Sequence, residues 1–319
     1  MRRSAVLLAL LLVVVSAGAA FAVYTQEEPV TGNTFSTKTD WEAPSASTSV
    51  IAKTVGYTAG SIKQGATYYV YANIADGGNP ASGVSSATAN VSSIDSGVTA
   101  QALVAGSYSI EGVAYNYRTA ALTANASITA GTYNYTIAMT DAAGNSRTQT
   151  GLSVVVDNTV PSATDIQTAN GGAIAGRADQ GDTITYTFSE AMDPNSILAG
   201  WTGASTSVVV RVNHVLSPAD TVTIYNSTNT TQLPFGTVSL GRTDYVTTSR
   251  TFGATGTAST MVMSGNSITF VLGTQSGAAT TAAGTGTMSW TPSATALDRA
   301  GNACTTTARS ETGTADKEF

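Results

Sequence analysis

The stretch 182–190, DTITYTFSE, decides the fold class because apolar and polar side chains alternate along it. Ile184, Tyr186 and Phe188 would share one face of a strand, which is the period of a half-buried β-strand. Comparable stretches occur at 66–76, 131–141, 151–157, 205–215, 220–228 and 266–273, between clusters of Gly, Asn, Asp and Pro. The pattern predicts an all-β fold of short antiparallel strands packed as sandwiches.

Two tandem sandwiches are expected, at 45–158 and 159–319. The boundary lies in VVVDNTVPSATDI (154–166), where polar turn residues and Pro161 end a strand and open the next unit. The two halves share features. Each has an acid after a strand, Asp76 or Asp193, and each ends in D-x-x-G-N. The second unit is longer, which predicts added strands between 205 and 260.

Composition excludes several classes of protein. Charged residues make up 11% of the chain, and no basic stripe is present, so no nucleic-acid partner is expected. The only cysteine is Cys304 and the only histidine is His214, which excludes an internal disulfide and a Cys/His zinc site within one chain. Cys304 is predicted to be a buried thiol, with a cross-link between two chains as the alternative.

The N-terminus has the pattern of an export signal. Arg2 and Arg3 precede the apolar run at 5–15, and the small-x-small site Ala20-Phe21-Ala22 follows. The interpretation is a signal helix over 1–22 that signal peptidase cuts between Ala22 and Val23, giving a secreted or cell-surface protein. Loss of the two arginines takes the formal net charge from −6 to −8. The alternative is an uncleaved anchor, the one route to membrane attachment.

Residues 23–44 are predicted to form an extended N-terminal segment. Once freed, this segment could add as a strand to an open sheet edge of another chain, with Tyr24 or Phe35 setting the register. The alternatives are a strand of its own first domain or a flexible lead-in.

Candidate catalytic groups are few. His214 would have to serve any Ser-His-Asp triad, yet the sequence has no G-x-S-x-G motif. Asp182, Glu190 and Asp193 are the candidate paired carboxylates for glycoside hydrolysis. On one strand, however, Asp182 and Glu190 would lie roughly 26 Å apart. No enzyme is therefore predicted.

No cofactor is predicted, although calcium is left open. Asp157 and Asn158 of DNTVP, with Asp76, Asp141 or Asp193 in facing loops, offer oxygen ligands, but turn chemistry explains the same residues. A sugar-binding face would need aligned exposed rings. Tyr69 and Tyr71 share a strand face, while the tryptophans Trp41, Trp201 and Trp290 are scattered.

Several motifs resemble known families. DNTVPSA, DAAGNSRTQTGLSVVVD, DRAGNACTTT and GDTITYTFSEAMDPNSI resemble strands and linkers of bacterial immunoglobulin-like (Ig-like) modules of surface-layer and adhesin type. The resemblance covers most of 45–310 and implies two Ig-like sandwiches that serve as stalks, spacers or adhesins.

The N-terminal region resembles a second family. Phe21-Ala22, Tyr24, Asn33-Thr34-Phe35 and Ser36 are similar to the processing region of TasA/camelysin-type exported proteins, which a SipW-like signal peptidase cuts. Where that family usually has Gly, this chain has Lys38-Thr39-Asp40-Trp41. The resemblance implies a processing route and, by analogy with fibre subunits, assembly through the freed segment.

The sequence as a whole predicts an exported, non-enzymatic structural protein of the cell surface or extracellular space. Its expected partners are signal peptidase, further copies of itself and cell-envelope components. The alternative is a secreted adhesin or carbohydrate-binding module.

Overall fold

The computed structural model describes residues 38–53 and 58–319, with two short strands nearer the N-terminus. Strands dominate these ranges, and their only helix is the single turn α1 (Pro194–Ile197). The predicted all-β class is therefore confirmed. By internal contacts the chain forms two units, 1–39 and 40–319, and each is described separately.

In the first unit, β1 (Val14–Ser16) pairs with β2 (Ala19–Phe21) in antiparallel register, with Val14 opposite Phe21. These six residues are extended rather than helical, in line with the β-propensity of Val14 and Val15. The rest of the predicted signal helix over 1–22 lies outside the described residues.

The second unit begins with a sandwich built from nine strands. They are β3 (Ser45–Ala52), β4 (Ser61–Ile62), β5 (Thr67–Ala75), β6 (Val84–Asn90), β7 (Gln101–Ile110), β8 (Val113–Thr119), β9 (Leu122–Thr123), β10 (Gly131–Asp141) and β11 (Ser146–Val156). Their order is β3-β5-β8-β7-β6-β10-β11-β4, with β9 on β5, and only the β11–β4 pair is parallel. Strand β7 pairs first with β6 and then with β8, so it links the two layers.

Strand β5 shows how alternation builds the first core. Tyr68, Val70, Ala72 and Ile74 are all buried in one cluster with side chains of the facing strands β10 and β11. The intervening Tyr71 belongs to a smaller cluster on the opposite face. Burial of this apolar surface is the main term that stabilises the sandwich.

The second sandwich contains ten strands. They are β12 (Ala163–Ala169), β13 (Thr183–Phe188), β14 (Thr206–Asn213), β15 (Thr221–Asn226), β16 (Thr237–Ser239), β17 (Arg250–Phe252), β18 (Ser259–Ser264), β19 (Ser267–Val271), β20 (Ser289–Thr291) and β21 (Arg309–Ser310). Their order is β12-β13-β19-β18-β14-β15-β16-β20-β21, with β17 on β14. Every pairing among them is antiparallel.

Trp290 lies at the centre of the second core. Its ring meets the rings of Tyr186 and Phe188 edge-on, with both centroid distances 4.9 Å, and its indole N–H donates to the carbonyl of Phe235 at 2.6 Å. Trp290 is fully buried, so its polar atom needs this partner.

The two cores are separate clusters of side chains. The main cluster of the first sandwich draws on residues 51–156 and that of the second on residues 166–319. Strand β11 ends at Val156 and β12 begins at Ala163, so the predicted boundary at 158/159 falls in the connection. Both sandwiches nevertheless lie within the unit 40–319.

Replacing Trp290 with Ala should lower the free energy of unfolding by about 3–5 kcal/mol, because it leaves a cavity and an unpaired carbonyl. Trp41→Ala is the matched control: Trp41 is 71% exposed, so the change should cost less than about 0.5 kcal/mol. Urea unfolding of both variants measures the difference. If both variants lowered the free energy of unfolding equally, this description of the core would be contradicted.

Candidate functional site

The pentapeptide at 141–145 forms a tight corner between β10 and β11. The Asp141 carboxylate accepts hydrogen bonds from the backbone N–H and the side-chain amide of Asn145, both at 2.7 Å, and the Asp141 N–H donates to the Asn145 carbonyl at 3.0 Å. Gly144 between them has φ 83°, a conformation that favours glycine. Asp141 is buried, and these donors compensate its desolvation.

The pentapeptide at 298–302 repeats this corner in the second sandwich. Asp298 accepts from the backbone N–H and the side-chain amide of Asn302, both at 2.8 Å, and its own N–H donates to the Asn302 carbonyl at 3.0 Å. Gly301 has φ 92°. We call this arrangement, formed by Asp141 with Asn145 and by Asp298 with Asn302, the Asp–Asn corner.

Each Asp–Asn corner also holds the chain where it enters that sandwich. The Asn145 amide donates to the carbonyl of Asp40 at 3.1 Å, and the Asn302 amide donates to that of Asp157 at 3.0 Å. The Asp40 and Asp157 carboxylates each accept the N–H two residues later, at 3.0 and 2.9 Å. The corner therefore joins the first and last parts of each sandwich.

The role of Asp40 was missed in the sequence, although a signal was present. DWEAPSA (40–46) and DNTVPSA (157–163) share the pattern D-x-x-x-P-S-A. Aligning these stretches would have placed the entry to the first sandwich at Asp40, five residues before the predicted start at 45.

A third acid completes each site. Asp76 follows β5, and carboxylate oxygens of Asp40, Asp76 and Asp141 lie within 4.8 Å of one another. We call these residues the first acid trio. Carboxylate oxygens of Asp157, Glu190 and Asp298 also lie within 4.8 Å of one another, and we call these residues the second acid trio. The geometric counterpart of Asp76 is thus Glu190, and the predicted correspondence with Asp193 is wrong because Asp193 caps α1 instead.

The second acid trio contains a perturbed carboxyl group. Burial, followed by the charges of Asp298 and Asp157, raises the pKa of Glu190 to about 7. Within the described part of the chain, neither Asp76 Oδ1 nor Glu190 Oε1 has a hydrogen-bond partner. Oxygen groups of this kind are able to hold a hard cation such as Ca²⁺.

The structure therefore divides the predicted calcium ligands differently. Asp76 and Asp141 lie together in the first acid trio, Asp157 lies in the second, and Asp193 belongs to neither. Calcium binding stays a prediction.

Asp193 lies where the two sandwiches meet. Its Oδ1 accepts the N–H of Asn195 at 3.0 Å, which caps α1, and its Oδ2 accepts the N–H of Thr58 of the first sandwich at 3.3 Å. Asp193 is 1% exposed. Burial raises the pKa of its carboxyl, opposed by these hydrogen bonds and by the charge of Lys53.

Two lysines of the first sandwich bond the second Asp–Asn corner. Lys53 donates to the carbonyl of Arg299, and Lys63 donates to that of Gly301 at 2.7 Å. Burial lowers the pKa of Lys53, whereas the charges of Asp193 and Asp298 oppose that shift. The sandwiches are thus joined by direct polar contacts as well as by the chain.

A groove of about 680 Å³ opens beside this junction. Both sandwiches contribute to its walls, which carry charged and polar groups together with one indole. Its lining includes Thr58, Glu111, Asp193, Asn195, Trp201 and Arg299.

The candidate catalytic residues have structural partners. His214 lies 3.1 Å from Asp220 through Nδ1, and the buried Asp220 also accepts the N–H groups of Val215 and Val246. Asp182 is fully buried and accepts backbone N–H groups at 171, 172 and 179, which shapes the loop before β13. Of the three candidate carboxylates, Glu190 joins Asp157 and Asp298, whereas Asp182 and Asp193 belong to other local networks.

The aromatic residues do not form one exposed row. Tyr71 is fully buried, and Arg118 lies between the rings of Tyr69 and Tyr108, at 4.7 and 4.5 Å from their centroids. Of the tryptophans, Trp290 and Trp201 are buried, and only Trp41 is largely exposed.

The predicted processing and assembly residues belong to the N-terminal part of the chain. Ala20 lies in β2, but its side chain, together with Ala22, Val23, Tyr24 and Phe35, lies outside the described residues. In the described part of the chain, no helix has the length and apolarity needed to cross a membrane.

Cys304 is a free thiol and is buried, in keeping with the predicted buried cysteine. Burial, with a contribution from the charge of Glu190, raises its pKa to about 11, so the thiol is protonated at neutral pH.

Comparisons of the chain with protein-family models, with curated proteins and with solved structures found no match. The two family resemblances noted in the sequence therefore stay predictions.

Replacing Asn302 with Ala should lower the free energy of unfolding by about 2–3 kcal/mol, because the buried Asp298 carboxylate loses a charge-assisted donor. Asn134→Ala in β10 is the matched control, since that side chain is exposed and makes no hydrogen bond within the described ranges. Denaturant unfolding measures both variants. If Asn134→Ala lowered the free energy of unfolding as much as Asn302→Ala, the structural role of the corner would be contradicted.

Replacing Glu190 with Gln should stabilise the protein more at pH 8 than at pH 5. The pKa of Glu190 rises from 4.5 to about 7 on folding. Its contribution is therefore fully favourable below 4.5 and is lost as the pH rises through 7. Thermal unfolding in chelator-containing buffer at the two pH values measures this effect. If the difference in melting temperature between variant and wild type were the same at both pH values, Glu190 would titrate normally.

Proposed function

We propose that this chain is an exported, non-enzymatic structural protein of the cell surface or extracellular matrix, in which two Ig-like sandwiches hold a fixed spacing. The observation that carries the proposal is the polar junction at which Lys53, Lys63 and Thr58 bond groups of the second sandwich. Domains joined only by a linker move relative to one another by default. Direct bonds of this kind favour a rigid spacer.

The use of the ionisable groups supports a structural role. Asp182, Asp193, Asp220 and Asp298 all satisfy backbone N–H groups in turns, caps or corners. His214 is oriented by Asp220 at the end of β14. The same side chains thus stabilise loops that connect strands, which is the chemistry expected of a load-bearing module.

The first sandwich has a strand edge that suits self-assembly. Strand β3 pairs with β5 and has no second strand partner in the described part of the chain. The Ile51 carbonyl already accepts the N–H of Gly60 at 2.7 Å, and Ile51 and Ala52 are fully buried, so the part of this edge that is open to another strand lies before Ile51. The segment 23–44 of a second copy would add there through backbone hydrogen bonds, with Tyr24 or Phe35 setting the register.

The proposed route to the surface begins with cleavage between Ala22 and Val23 by a SipW-like signal peptidase. The mature chain would then be secreted or retained by cell-envelope components. An uncleaved segment 1–22 would instead hold it at the membrane.

The groove at the junction favours a second candidate function, that of a secreted adhesin or carbohydrate-binding module. Among the residues that line it, the exposed Glu111 and Arg299 and the partly exposed Asn195 offer hydrogen-bond partners for a glycan. A glycan that raises the melting temperature of the wild type but not of an Asn195→Ala variant would support this alternative.

Protein exported by its native host should begin at Val23 and form large assemblies, and deletion of residues 23–37 should leave a monomer. Phe35→Ala should weaken assembly, whereas Leu216→Ala is the matched control because Leu216 is an apolar side chain 85% exposed on the second sandwich. N-terminal sequencing with light scattering measures both properties. A monomeric mature protein would contradict self-assembly, and an intact Met1 on membrane-bound protein would contradict cleavage.

A further inference from the structure

A third group of acids lies on the last residues of the sequence. Carboxylate oxygens of Glu311, Asp316 and Glu318 lie within 4.8 Å of one another. We call these residues the closing cluster. They follow β21, which pairs with β20, and precede Phe319, whose buried ring packs edge-on against Tyr245 at 5.9 Å. The cluster thus lies where this segment docks on the second sandwich.

Glu318 is the most unusual member of the closing cluster. It is 1% exposed, and its Oε2 accepts a hydrogen bond from the Thr168 hydroxyl at 2.6 Å. Its other oxygen, Oε1, is buried and has no hydrogen-bond partner. An unsatisfied oxygen on a buried carboxylate is costly, so a group that supplies positive charge or a proton is needed.

The surrounding charges increase this need. Asp165 adds a fourth carboxylate nearby, which accepts hydrogen bonds from the N–H and hydroxyl of Thr312 at 2.8 and 3.0 Å. The ion pairs in the described ranges involve none of these four acids. Arg309 donates instead to the carbonyl of Thr164 at 2.8 Å. In the described structure, none of these four acids thus has a cationic side chain as an ion-pair partner.

We infer that Glu311, Asp316 and Glu318 form a binding site for a hard divalent cation, with Ca²⁺ the best match, that fastens segment 309–319 to the second sandwich. The donors are all carboxylate oxygens, which favours Ca²⁺ or Mg²⁺ over transition metals. Three carboxylates that can each bind in mono- or bidentate fashion suit the flexible shell of Ca²⁺ better than the strict octahedron of Mg²⁺. Asp316 is exposed and gives the ion a path from solvent.

The test is calorimetric titration of CaCl₂ into chelator-treated full-length protein, with thermal unfolding in parallel. Wild type should bind Ca²⁺ and gain melting temperature. Asp316→Asn and Glu318→Gln should weaken that binding by about 100-fold. Because Asp316 is exposed, its variant should fold normally even if the buried Glu318→Gln does not. Glu190→Gln, which alters the second acid trio, is the matched control and should retain this binding.

Two results would overturn the inference. Calcium binding that is lost in Glu190→Gln but kept in Asp316→Asn and Glu318→Gln would place the ion in the second acid trio. No response of the wild type to millimolar Ca²⁺, in either the titration or the melting temperature, would show that the closing cluster holds no such cation.

Discussion

The buried aspartate of the Asp–Asn corner is the group on which the rest of this structure depends. A carboxylate taken out of water must be compensated by donors, and in each sandwich a single asparagine four residues later supplies two of them. The same asparagine amide reaches the residue at which the chain enters the sandwich. One short turn therefore closes the end of each sandwich, and its requirement for Asp, Gly and Asn explains why D-x-x-G-N occurs twice.

The second corner also serves as a docking surface. Turn carbonyls that make no hydrogen bond within a sheet need other hydrogen-bond donors. Lys53 and Lys63 supply these donors to the carbonyls of Arg299 and Gly301. A buried lysine is tolerable at this place because Asp193 and Asp298 counter its desolvation. The turn that closes the second sandwich thus fixes its contact with the first, and a fixed contact is what the proposed spacer role requires.

The local features of this fold could be predicted from the sequence, and the long-range ones could not. Alternation identified β13 correctly because period two is a property of neighbouring residues, and Ile184, Tyr186 and Phe188 are all buried. The turns at 141–145 and 298–302 were likewise predictable. Asp40 was missed because its partner, Asn145, is 105 residues away, and only the D-x-x-x-P-S-A pattern shared by 40–46 and 157–163 marked it in the sequence. Glu190 rather than Asp193 is the third acid of the second acid trio because Asp193 caps the single turn of α1.

The central claim, that the corner and its junction lock the two sandwiches together, is tested most directly by native-state hydrogen exchange. The amides of Asn145 and Asn302 report the corners. The amide of Thr58, which donates to Asp193 at 3.3 Å, reports the junction, and that of Gln64, which donates to Asn158 at 2.8 Å, reports the connection between the sandwiches. The account predicts that all four exchange slowly, with protection approaching that of the core strands. Rapid exchange at Thr58 and Gln64 beside protected corners would mean that the sandwiches are stable but independent, which would contradict the account.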